Sequence, residues 1–189
     1  NLDVYDFESF EQVANFNGKI PPDVLGRLAY KLCVYYNFAF AVIERNNHGL
    51  TTNYTLRDEG YPETRIYHFT REDKATSRVT KIIGWVTDIR TRPTIIDDGR
   101  SFIREKRVVI RDKNLLSECR TFIKKKDGGI EADYNCHDDR VICFCIACHM
   151  FKVLHLPRRH YWNDEDNQSY SLQARTPGRT GLGKSYIGS

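Results

Sequence analysis

Residues 39–43 (AFAVI) constrain the fold more than any other stretch. Five consecutive apolar side chains follow a helical pattern and stop at Glu44, just ahead of the polar RNNHG. An apolar run of that length with no polar face reads as a strand covered on both sides, and such a strand needs helical layers above and below it. The preceding segment supplies one of them. Pro21-Pro22-Asp23 leads into Val24, Leu28, Leu32, Tyr35 and Tyr36 at helical spacing, the mark of a proline-started amphipathic helix.

The same reading carries along the chain. Residues 1–16 form an expected hairpin, with Leu2, Val4 and Tyr5 on one arm and residues 13–16 on the other. After the RNNHG break, residues 50–59 read as a short helix closed by Gly60. Residues 66–69 and 108–110 read as short strands, and residues 93–104 and 114–122 as helices, the latter turning Leu115, Leu116, Cys119 and Phe122 inward. Residues 70–80 are polar and aperiodic, which suggests a mobile loop. KKKDGG at 124–129 is a turn, and His137-Asp138-Asp139 introduces an apolar helix over 140–153. Helices alternating with strands predict an α/β class with a mixed central sheet. Residues 1–154 are expected to form one domain. Residues 155–189, with Pro157, Pro177 and scattered glycine and serine but no apolar period, are expected to form an extended tail.

Composition narrows the functional classes. A chain of 189 residues suits a single core. Its longest apolar run, residues 141–147, is far short of the roughly 20 residues a membrane helix needs, and no basic-then-apolar leader opens it, so a soluble, non-secreted protein is expected. Charge is uneven, with a net −4 over residues 1–64 and +8 over residues 65–189. Such polarity suits an anionic partner that meets one surface. Of the six cysteines, those at 136, 143, 145 and 148 crowd one apolar stretch and read as small core fillers in a reducing compartment rather than as a disulfide framework or a zinc site.

Two acidic positions could do chemistry. Glu44 ends a buried strand, where ligands of open α/β sheets gather, so it either holds a cation or substrate or pairs with Arg45 or another base. Asp138 and Asp139 start an apolar helix. Capping free amides explains one of them. Two adjacent acids repel unless a cation or basic group lies between them, which points toward a metal. Oxygen donors of this kind suit Mg²⁺ or Mn²⁺, which can bridge a phosphate and activate water against a phosphodiester. His48 and His137 flank these acids as hydrogen-bonding neighbours, ligands or proton shuttles.

The motifs VIERNNHG (42–49), IIGWVTDIRTRP (82–93), LLSECRTFIKKKDGGIEA (115–132) and CHDDRVICFCIA (136–147) resemble, in order and spacing over about residues 5–153, the nuclease domain of the large terminase subunit of tailed bacteriophages. The resemblance implies an RNase H-like fold and cleavage of concatemeric double-stranded DNA during genome packaging in the host cytoplasm. It implies two divalent ions, Mg²⁺ or Mn²⁺, with Glu44 as the strand-end acid and Asp138-Asp139 as the helix-start acids. It also implies partners: the terminase ATPase domain, the small terminase subunit and the portal or procapsid. The family carries its first catalytic aspartate on a strand before the hairpin. Here Asp3 and Asp6 align with the hairpin and are assigned no catalytic role, so that strand is expected upstream of Asn1.

Basic residues concentrate at 70–92 and 104–129, and Lys81, Arg90, Arg92, Lys124, Lys125 and Lys126 are candidate contacts to the DNA backbone, against the plainer reading of a solvated face. Trp85 in GWVT reads as core. Gly181 to Ser185 (GLGKS) lacks the spacing and the preceding strand of a phosphate loop. A non-cleaving nucleic-acid or packaging-complex module, with an incomplete acid cluster, is the alternative. A resolvase or transposase shares the metal logic but lacks the GWVT and TRP motifs.

Overall fold

The computed structural model describes residues 1–46, 48–73, 77–124, 130–132 and 137–154. The expected tail, with its GLGKS stretch, lies outside the described residues, as do Lys125, Lys126 and Cys136. Strands β1 (Leu2–Tyr5) and β2 (Gln12–Phe16) pair antiparallel as the expected hairpin, with a shift in register between Val4 and Tyr5. Helix α1 (Pro22–Tyr35) starts on its proline, and α2 (Gly49–Asp58) packs against it. The close approach is possible because Gly26 lies on the contact: a Cβ there would sit 2.6 Å from Cβ of Thr55.

A single 3₁₀ turn (Glu63–Arg65) leads into β3 (His68–Asp73), which pairs antiparallel with β4 (Arg78–Ile83). This corrects the loop expected over residues 70–80. Away from its base the hairpin is polar apart from the exposed Val79, with Thr70, Arg71, Thr80 and Lys81 all exposed, so no apolar alternation betrays it. Its regularity comes from cross-strand backbone pairing, which sequence periodicity does not report. Helices α3 (Thr91–Arg104) and α4 (Lys113–Thr121) follow, then the short antiparallel pair β5 (Phe122–Lys124) and β6 (Ile130–Ala132), and last α5 (Asp139–Val153).

The structure is mixed α/β, and its regular strands occur as two-stranded antiparallel pairs instead of one continuous central sheet. The AFAVI run is extended but joined only by isolated parallel bridges, Ala41 to Ile66 and Glu44 to Trp85. Its backbone bonds are nonetheless regular: Ala41 N–H donates to Arg65 O (2.8 Å), Tyr67 N–H to Ala41 O (2.8 Å) and Trp85 N–H to Ile43 O (2.8 Å). The side chains alternate between two cores. Ala41 and Ile43, with Ile66 and Ile83, join Leu56 and Tyr61 on the α1–α2 side. Val42, with Tyr67 and Trp85, joins the cluster built by α3 and α5. Residues 41–43 thus send side chains to both cores, although only Ala41 is buried and Phe40 joins neither cluster.

The α3–α5 core contains Phe102, Ile95, Leu115, Phe144 and Cys148, each 1% exposed or less. Burial of such side chains contributes about 1.5–3 kcal/mol apiece. Phe10, Phe102 and Phe151 pack edge-on and tilted against one another, which attaches the β1–β2 hairpin to α5. Cys145 and Cys148 are buried in this core as fillers, and burial pushes the Cys145 thiol up to about 12, so it stays protonated and unreactive. Among the described residues, no helix is long and apolar enough to cross a membrane.

Candidate active site

The AFAVI run delivers Glu44 to the edge where residues 84–92 turn from β4 into α3. Gly49 makes the turn after it possible, since a Cβ at Gly49 would lie 1.6 Å from the Glu44 carbonyl oxygen. The fully buried Asn53, on α2, holds the turn from beneath, its Nδ2 donating to Gly49 O (2.8 Å) and Ile43 O (3.3 Å). Asn46 then joins the two sides of the site. Its Nδ2 donates to Glu44 Oε1 (3.2 Å) and to Thr87 O (2.8 Å). Glu44 forms no ion pair among the described residues, so the alternative of pairing with Arg45 is not what the structure displays.

The segment from Trp85 to Arg92 is tied internally. Trp85 is 3% exposed, in the core as expected, and its Nε1 donates to Thr87 Oγ1 (3.1 Å). Asp88 Oδ1 accepts from the backbone of Thr91 (2.9 Å) and Arg90 (2.8 Å), and these bonds hold its carboxyl below the usual range. Thr91 Oγ1 donates to Val86 O (2.8 Å). The start of α3 is thereby fixed, and with it Arg92.

Arg92 reaches across to the other candidate acid: its Nη2 lies 2.6 Å from Asp138 Oδ2. Asp138 is the N-cap residue of α5 but accepts no hydrogen bond from that helix's amides. Asp139 is exposed in the first turn of α5. The repulsion expected between the two acids is thus met, at Asp138, by a guanidinium. Glu44 and Asp138 both reach residues of the 87–92 segment, one through Asn46 and Thr87, the other through Arg92. His48 and His137 are exposed beside the two acid positions.

An open cleft of ≈ 550 Å³ borders the same segment, lined by Arg45, Thr70, Arg71, Glu72, Asp88 and Arg90 among others. Of the basic residues singled out from sequence, Arg90 is in this cleft, Arg92 is on Asp138, and Lys81 is exposed on β4 opposite Thr70. Lys124 closes β5. Arg71, one of the basic residues of the 70–92 stretch, reaches the cleft on the hairpin that sequence periodicity missed, and Arg45, considered from sequence only as a partner for Glu44, also lines it.

Behind Asp138 lies a buried ion cluster that sequence reading also missed. Arg140 Nη1 sits 2.5 Å from Glu118 Oε1, and Arg140 Nε 3.0 Å from Asp112 Oδ2. Asp112 caps α4 through Asn114 N–H (2.8 Å), and Gln12 Oε1 accepts from the amides of Arg111 (3.0 Å) and Asp112 (2.8 Å). Gln12 Nε2 in turn donates to Asp3 Oδ1 (3.0 Å), where burial pushes the carboxyl above its ordinary value. Only Asp112, three positions before a helical pattern with Asn114, carried a readable capping signal.

Among the described residues, no three His, Cys, Asp or Glu side chains converge as a metal cage. The donors fit Mg²⁺ or Mn²⁺ as a hydrated ion, which takes one or two carboxylates and completes its shell with water and phosphate oxygen. Asp138 is held by the Arg92 guanidinium, which an ion at that carboxylate would have to displace. Comparison with known protein families and with curated proteins returned no match.

Proposed function

We propose that this chain is a divalent-metal-dependent endonuclease of RNase H-like fold that cuts double-stranded DNA during packaging of a tailed-phage genome. What supports this reading is that Glu44, through Asn46, and Asp138, through Arg92, are each tied to the 87–92 segment, of which Asp88, Arg90 and Thr91 line a cleft that also holds Arg45 and Arg71. Mg²⁺ or Mn²⁺ bound there would supply Lewis acidity and a water made nucleophilic at neutral pH. The chain's own residues do the rest. Glu44 and Asp138, with Asp139 beside it, offer hard oxygen donors. Arg45, Arg71 and Arg90 hold phosphates by charge without reading bases. Asn46 and the Gly49 turn keep the Glu44 carboxylate in place. The ATPase domain, small subunit and portal or procapsid are partners under the same proposal.

A second reading, a non-cleaving DNA or packaging-complex module, is favoured by the lack of a three-acid group among the described residues. Incubation of supercoiled plasmid with Mn²⁺, with and without EDTA, separates the two. Nicking that EDTA stops, and that Glu44→Ala and Asp138→Ala abolish, is the expected result. DNA binding without nicking would favour the second reading, and cutting by Glu44→Ala at the parental rate would remove Glu44 from the mechanism.

A further inference from the structure

The cleft beside the candidate site has a chemistry that phosphate binding alone leaves unexplained. Phe69, Ile82 and Val86 line it, apolar and half-buried, yet they join neither of the two cores. Phe69 and Ile82 are cross-strand partners in the β3–β4 pair, and Val86 lies just beyond the end of β4. The Phe69 ring is held edge to face against the buried Trp85, with centroids 6.2 Å apart and planes at 89°. Beside this apolar patch stand Arg45, Arg71 and Arg90, none of which forms an ion pair among the described residues. Two acids share the lining. Asp88 spends Oδ1 on the amides of Arg90 and Thr91, and Glu72 lies exposed on the hairpin, so guanidinium groups outnumber carboxylates.

A DNA backbone explains the arginines but leaves the apolar patch wet. A closed duplex cannot cover it, because its base faces are already taken up in stacking. An unpaired nucleotide carries both chemistries: a flat ring that stacks on an aromatic side chain, and a phosphate for an arginine. The volume, ≈ 550 Å³, falls within the roughly 300–1,000 Å³ of sites that enclose small organic groups. We propose that this cleft takes a nucleotide unpaired from its partner strand, its base against Phe69, Ile82 and Val86 and its phosphates on Arg45, Arg71 and Arg90. This rests on the DNA reading above and narrows the substrate to DNA whose strands are locally parted. Stacking on a phenyl ring tolerates every base, so the preference is for strand opening and not for sequence.

The test uses labelled duplexes of equal length and phosphate number: one fully paired, one with a central bubble of unpaired thymidines, and one with the same bubble built from abasic sites. Fluorescence anisotropy on the full chain, in EDTA so that no cutting intervenes, is expected to show about tenfold tighter binding to the thymidine bubble than to the other two. Phe69→Leu, its fold checked by circular dichroism, keeps an apolar side chain and removes the ring; it is expected to lose most of that preference. Ile82→Thr, which keeps a β-branched residue in β4, is expected to weaken it. Thymidine monophosphate at the strand's concentration should not compete. A thymidine bubble bound no more tightly than the abasic one overturns the inference while leaving DNA binding intact. So does a preference unchanged in both variants, and so does thymidine monophosphate competing as well as unlabelled bubble DNA, which would make a free nucleotide the ligand. A parent protein that binds none of the duplexes overturns the DNA reading itself, and the inference with it.

Discussion

Replacing Arg140 with methionine isolates the buried ion cluster behind the candidate site. The guanidinium is 18% exposed and serves two carboxylates, Asp112 at 5% and Glu118 at 12% exposure, at 3.0 and 2.5 Å. An ion pair at about 4 Å is worth about 4 kcal/mol at an effective dielectric near 20, and the desolvation cost of burying the charges offsets much of it. Methionine fills similar volume but leaves both acids buried and unpaired, a situation that costs about 3–5 kcal/mol when a buried pair is fully dry. The residual exposure of Arg140 lowers the expectation to about 2–4 kcal/mol, since solvent screens part of the charge. For a domain of this size that corresponds to a melting temperature lower by about 4–16 °C. Circular dichroism melts and urea midpoints measure it. A loss under about 0.5 kcal/mol would mean the cluster is effectively solvated and would refute the reasoning.

Two further outcomes are expected. If the cleft holds duplex phosphates through Arg71 and Arg90, replacing both with alanine should reduce the steepness of log affinity against log salt by about 2, measured by fluorescence anisotropy on duplexes of unrelated sequence; an unchanged slope would place the DNA elsewhere. Burial works against ionisation of Asp98, but its bonds to the Lys152 ammonium and to His149 (2.7 Å) outweigh this and hold the carboxyl below its ordinary value. A depressed acid contributes stability that is present above its unfolded value near 3.9 and lost as pH falls through the lower folded one. Asp98→Asn should therefore be less stable than the parent at pH 7, with the gap closing below about pH 4; a gap that stays constant down to pH 3 would exclude the ion pairs as its source.

The sequence by itself determined the five helices and the hairpin at the start, because proline and aspartate at helix starts and apolar residues at helical spacing are local signals that survive tertiary packing. It also indicated that residues 39–43 meet apolar neighbours on both sides, which residues 41–43 do, because an apolar run without a polar face is stabilised by cover on each side. Tertiary structure decided the rest. Whether that run pairs as a regular strand or through isolated bridges depends on neighbours 25 and 41 residues away, which leave no trace in its own composition. The β3–β4 hairpin was hidden because its largely polar faces carry no alternation, and the place of Arg71 at the cleft was hidden with it. At the site, sequence placed Glu44 at a strand end and Asp138 at a helix start. Only the fold decided that Asp138 leaves its helix to meet Arg92 while Glu118 accepts from the Arg140 amide of that helix in its stead. A carboxylate's partner is set by which charges and amides the chain brings within about 3 Å, a distance the order of residues does not contain.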